Sequence, residues 1–165
     1  MLKFLSRWPV LAVFALATGL VGYSFEWVIE GAGAPLLDMI RNGPDAERHL
    51  SAMTEAQRAR HLFGTLVNDS LYPLAYGGLL AGLAYRFGAS RSTLLVIPAV
   101  ATVVVDFAEN GIQALALAGG PNFLAAKTVI TPLKFGLFLL AAFIALCLIL
   151  LALGRKLLGG RSAAK

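Results

Sequence analysis

Residues 93–118 read TLLVIPAVATVVVDFAENGIQALALA, an apolar run of membrane-crossing length with two acids in its second half. Thr102, Asp106, Glu109, Asn110 and Gln113 recur at i, i+4, i+7, i+8 and i+11, so a helix gathers all five on one face. A charged side chain at the centre of a bilayer-spanning helix costs roughly 2.5–3.5 kcal/mol, so this face is expected to turn away from lipid.

The rest of the chain has the same character. Of its 165 residues, 58% are hydrophobic and 14% charged, with mean hydropathy +0.76. Soluble domains average about 45–50% apolar and about 25% charged residues, and one of this size lacks the interior to hide so much apolar surface. A helix crosses the hydrocarbon core in about 20 apolar residues. Four stretches qualify: Trp8–Ile29, Gly64–Tyr85, Thr93–Ala118 and Thr128–Leu153. The expectation is an all-α integral membrane protein, a single domain over residues 1–165 folded as a four-transmembrane-helix bundle. The first run has a basic start (Lys3, Arg7) and a signal-peptide-like Ala15-Leu16-Ala17, but it stays apolar to Ile29 and is read as a retained span.

Lys and Arg in the connections set the orientation. Lys3, Arg7, Arg86, Arg91, Arg155, Lys156, Arg161 and Lys165 fall on one side, against Arg41, Arg48, Arg58, Arg60 and Lys127 on the other. The positive-inside bias predicts both termini in the cytoplasm, in the inner (plasma) membrane of a bacterium. The net charge of +5 belongs to these flanks, which meet lipid headgroups, and no basic patch for nucleic acid remains.

The first external loop, about residues 30–63, is expected to hold short amphipathic helices. Residues 35–41 suit a turn lying on the membrane surface, Pro44 suits the first turn of a helix, and Thr54 with Gln57 suits a capping box. His49 and His61 lack metal-ligand spacing and read as exposed; a zinc site wants three or four ligands, so no metal is assigned. Cys147 is the single cysteine, which excludes an intramolecular disulfide and a CxxC centre. Gly19, Gly22, Gly77, Gly78 and Gly82 read as close-approach positions between helices.

The other spans carry polar stripes to match residues 102–113. Thr65, Asp69, Tyr72 and Tyr76 share a face of the second, Tyr23, Glu26 and Glu30 of the first, and Lys127, Thr131 and Lys134 of the fourth. All lie toward the external end. The expected site is therefore a polar pocket in the outer half of the bundle, built from Glu26, Asp69, Tyr72, Tyr76, Asp106, Glu109, Asn110, Gln113, Thr131 and Lys134, with Arg58 and Arg60 folding over its mouth. Acids outnumber bases there, so protons or a cation must balance the charge.

No P-loop, dinucleotide fingerprint or Ser/His/Asp set is present. The expected partners are membrane lipid and either a small amphipathic or cationic ligand or a partner membrane subunit, with a ligand pocket of at least about 300 Å³. No cofactor is specified. One rival is a membrane enzyme, isomerase- or hydrolase-like, using Asp106 or Glu109 as acid or base on a lipid-like substrate. Another is proton- or cation-coupled transport by an oligomer. In layout alone (four spans, a structured first loop, carboxylates around a membrane cavity) the chain resembles the EXPERA sterol-isomerase group, although no motif aligns residue by residue. VVDFAEN does not fit the aspartate motifs of lipoprotein signal peptidases, another four-span group.

Overall fold

The computed structural model describes residues 1–33 and 35–159; Arg161 and Lys165 of the positive tail lie outside them. The described residues are helical and include no strand. In chain order the helices are α1 (Leu2–Leu5), α2 (Trp8–Ala32), α3 (Gly43–Ala52), α4 (Glu55–Leu66), α5 (Asn68–Phe87), α6 (Ser92–Leu95), α7 (Ile97–Leu117) and α8 (Lys127–Gly159). Single 3-10 turns at Leu37–Met39, Ala89–Arg91 and Leu124–Ala126 join them.

Local chemistry sets the boundaries. Pro9 stands in the first turn of α2, where its missing N–H costs nothing. Gly33 ends that helix at φ +77°, a backbone region open to glycine, and returns its N–H to Ile29 O at 3.0 Å. Asn42 caps α3 by accepting the Asp45 N–H at 2.9 Å, and Pro44 occupies its first turn. Thr54 and Gln57 form the expected capping box on α4. Helix α4 then passes into α5 through one off-helix residue, Val67.

Three helical stretches are long and apolar enough to cross a membrane: Trp8–Ala32, Ser92–Leu117 and Leu124–Leu158. The expected fourth, Gly64–Tyr85, does not meet that standard. Its helix, α5, carries Asn68, Asp69, Ser70, Tyr72 and Tyr76 in its first half. The physical reason is its position. Helix α5 packs against α2, α7 and α8 together, so other helices cover much of its surface and it needs no continuous apolar exterior. Large apolar side chains instead stand exposed along the other three, including Val13, Leu16 and Leu20 of α2, Val104 of α7 and Phe143 of α8.

Toward the chain termini, α5, α7 and α8 meet through small residues, Ala81 and Ala84 with Ala99 and Ala141, backed by Val96. At the opposite end Leu37, Ala46, Ala116, Leu117 and Leu124 form an apolar cap joining the first long connection to the ends of α7 and α8. Two expectations for that connection are corrected here. Leu36 and Leu37 are buried against the bundle, so residues 35–41 do not form a surface-lying turn. His61 is buried too, its ring edge-to-face with His49 at 5.8 Å; burial pushes its pKa below the ordinary imidazole value, with a smaller push from His49. The loop's apolar residues find protein to pack on, which removes the drive to lie on lipid.

The glycines divide by what surrounds them. A Cβ on Gly82 would stand 2.7 Å from the Leu5 carbonyl oxygen, and one on Gly43 2.7 Å from that of Leu124, and backbone does not give way. Gly19, expected at a contact, has nothing within 4 Å. Alanine stabilises an open helix position by up to about 1 kcal/mol over glycine, whereas overpacking costs about 1–3 kcal/mol. Thermal unfolding in detergent should therefore find Gly82→Ala and Gly43→Ala less stable than the parent and Gly19→Ala no less stable; the reverse order would refute the packing described.

Candidate functional site

Proline shapes one wall of the site. Pro73, inside α5, has no N–H to offer the carbonyl of Asp69 one turn earlier. That carbonyl accepts a hydrogen bond from Asn110 Nδ2 of α7 at 2.6 Å instead. The interruption in α5 thus becomes a tie between helices, the remedy open to a proline within a bundle.

Below that tie, α7 and α8 share a buried charge cluster. Glu109 is fully buried, and its Oε1 accepts from both Lys127 Nζ and Thr131 Oγ1, themselves fully buried. Lys134 Nζ lies 2.7 Å from Glu109 Oε2 and 3.6 Å from Asp106 Oδ1, and it donates to Asp38 Oδ1. Tyr76 OH donates to Asp106 Oδ2 at 2.6 Å, and Thr102 Oγ1 to the Lys134 carbonyl at 3.1 Å. Asp38, Asp106 and Glu109 bring carboxylate oxygens within 4.8 Å of one another, a spacing that suits a metal ion. The ammonium of Lys134 pairs with all three and occupies that position itself.

Beside the cluster is a cavity of about 250 Å³ between α5 and α8. Asp38, Asp69, Asp106 and Lys134 give it polar walls; Tyr72, Tyr76, Phe135 and Phe138 give it aromatic ones. Its volume falls short of the roughly 300 Å³ expected of a site for a drug-sized molecule. Tyr76 closes the deep end, its ring edge-to-face with Phe138 at 5.1 Å. Tyr72 and Phe135 are half-buried at the rim and Met39 is 62% exposed, so the cavity opens on the flank of the bundle.

The expected residues sort themselves on this geometry. Asp69, Tyr72, Tyr76, Asp106 and Lys134 line the cavity, and Glu109 and Thr131 lie behind it in the cluster. Asn110 acts through the Asp69 carbonyl. Gln113 is fully buried but does not line the cavity, and its amide finds no partner among the described residues. Glu26 and Glu30 are exposed on α2 and take no part. The buried face of that helix carries Leu11, Val28 and Ala32 instead. Arg60 does not cover the mouth: its guanidinium stacks on Trp27 and donates to the Trp27 carbonyl at 2.9 Å, and Arg58 is not among the cavity walls. Sequence reasoning missed Asp38, which lies within the residues 35–41 expected to form a turn on the membrane surface. The burial of its neighbour Leu37 draws it into the bundle, and the apolar pair Leu36-Leu37 before the acid is the only sequence signal for that.

Four carboxyl groups (Asp38, Asp69, Asp106, Glu109) thus meet two ammonium groups (Lys127, Lys134). Asp69 is the one left over. It is 7% exposed and lines the cavity, yet no donor among the described residues bonds its carboxylate. A buried acid usually has a partner, so this group is ready for one. Comparison with protein-family models, with curated proteins and with solved structures finds no match for the chain, so the site is read from its own chemistry.

The Lys127–Glu109 pair makes a sharp test of the cluster. Removing one member of a buried pair costs about 3–5 kcal/mol, because the other charge is stranded. Glu109→Leu should lower thermal stability by about that much, and adding Lys127→Met should recover most of the loss. Strictly additive losses in detergent melts would show that the two are not coupled.

Proposed function

We propose that the chain is a small four-span membrane protein whose flank cavity binds the positively charged end of an amphipathic ligand. Several features support the membrane placement. Three helices suffice by length and apolarity, and α5, at 20 residues, spans about 30 Å while enclosed by its neighbours. Apolar residues face outward and charged residues inward, the arrangement lipid demands. Lys3, Arg7, Arg86, Arg91, Arg155 and Lys156 mark the end opposite the site, and Arg86 donates to the Ser6 carbonyl there at 2.7 Å. The positive-inside rule makes that end cytoplasmic, with the inner membrane of a bacterium as the setting. Reporter fusions should report both termini inside and a tag inserted near Glu47 outside; a tag near Glu47 that is protected from external reagents in intact cells would overturn the orientation.

The unpartnered carboxylate of Asp69, facing an aromatic-walled cavity, is the observation that carries the ligand reading. Carboxylates attract an ammonium group, aromatic faces add a cation–π term, and the opening beside apolar α8 admits an alkyl chain. The site offers no activated nucleophile, and Asp106 and Glu109 are both held by hydrogen bonds or ion pairs, which favours binding over acid–base catalysis. The purified protein should bind n-dodecylammonium in native mass spectrometry and not the neutral dodecyl alcohol. Hydrogen bonds to charged groups contribute about 1.5–3 kcal/mol, so Asp69→Asn should weaken binding roughly tenfold or more while leaving the fold intact. Equal binding by the variant would refute the reading.

A further inference from the structure

Arg41 is exposed, its guanidinium 5.6 Å from the centre of the ring of Phe135. It makes no ion pair or side-chain hydrogen bond among the described residues, unlike Arg60, bound to Trp27, and Arg86, bound to Ser6. Phe135 is itself a cavity wall; inside, Asp38, Asp69 and Asp106 outnumber the one ammonium of Lys134, which leaves the interior net negative, and Arg41 stands outside it. Beyond the rim the surface of α8 is apolar, with Leu139 one turn past Phe135 and 65% exposed. Negative, then positive, then apolar is the complement of a molecule that presents an ammonium, then a phosphate, then hydrocarbon.

We infer that the occupant is a zwitterionic aminophospholipid, its ammonium against Asp69, its phosphate on Arg41 and its chains along α8 between Phe135 and Leu139. This deepens the ligand reading above and rests on it. Arginine suits the phosphate because its planar fork meets two oxygens at once. Access is from the side, since Tyr72 and Phe135 at the rim belong to α5 and α8. The volume of about 250 Å³ accommodates the headgroup only, which leaves the chains in the bilayer.

Native mass spectrometry of the full chain, released from mild detergent with defined additions, separates this from the broader reading. The probes are phosphatidylethanolamine, phosphatidylglycerol, soluble phosphoethanolamine and n-dodecylammonium. Phosphatidylethanolamine should be retained roughly tenfold better than phosphatidylglycerol, which lacks the amine. Arg41→Gln, a change at an exposed residue, should cut phosphatidylethanolamine retention about tenfold and leave n-dodecylammonium unchanged, whereas Asp69→Asn should weaken both. If n-dodecylammonium binds but the two lipids are retained alike, the lipid assignment fails and the cation reading stands. If soluble phosphoethanolamine binds as well as the lipid, the role given to the chains fails. If none of the probes binds, both readings fail.

Discussion

Glu109 has no exposure to solvent, and the carboxylate is held by Lys127 and Thr131 on one oxygen and faces Lys134 on the other. Charges so buried persist only when paired and hydrogen-bonded, and each partner here comes from α8. The register of α7 against α8 follows from that one requirement, because a shift of either helix strands a charge. Lys134 then reaches Asp38, so the same cluster fixes where the first long connection meets the bundle. Replacing such a cluster by apolar residues often costs little stability, so its specific contribution is geometric: it admits one arrangement of α7, α8 and the Leu37–Met39 turn.

The polar stripe of α7 is legible in the sequence because charge in an apolar run has few places to go. Thr102, Asp106, Glu109, Asn110 and Gln113 all lie buried on the one face that their helical spacing defines. The same periodicity misleads on α2. Glu26 and Glu30 share a face, but they sit near the end of their helix and are exposed, so nothing compels that face inward. Periodicity defines a face and leaves open which way it points; burial cost settles direction only where the surroundings are apolar. Asp38 illustrates the complementary limit. No spacing rule places a residue from a 3-10 turn among side chains on two distant helices, and only the tertiary packing of Leu37 reveals it. His61 is hidden for the same reason.

Helix α5 shows why an average over a window is a poor guide at the centre of a bundle. Of its polar residues Asp69, Tyr72 and Tyr76 line the cavity and Asn68 donates to Ser24 of α2, and the proline that interrupts it creates the acceptor that Asn110 fills. Hydropathy counts such residues against the helix, while the packing gives them polar and aromatic neighbours. The alanine seam toward the termini fills its space with small side chains, whereas four aromatic rings wall the cavity toward the other end.

The charge ledger explains why the cavity is placed beside the cluster and not within it. Lys134 is drawn to Asp38, Asp106 and Glu109 together, and Lys127 is spent on Glu109 alone, in a position with no route to the cavity. Asp106 gains Tyr76 as a donor, but Tyr76 brings no charge. The deficit therefore falls on the acid farthest from both lysines in the bonding scheme, Asp69. Its backbone carbonyl accepts from Asn110 in place of the missing proline N–H, while its carboxylate is left without a donor among the described residues, so the helix is tied at the residue whose charge the cluster leaves unbalanced.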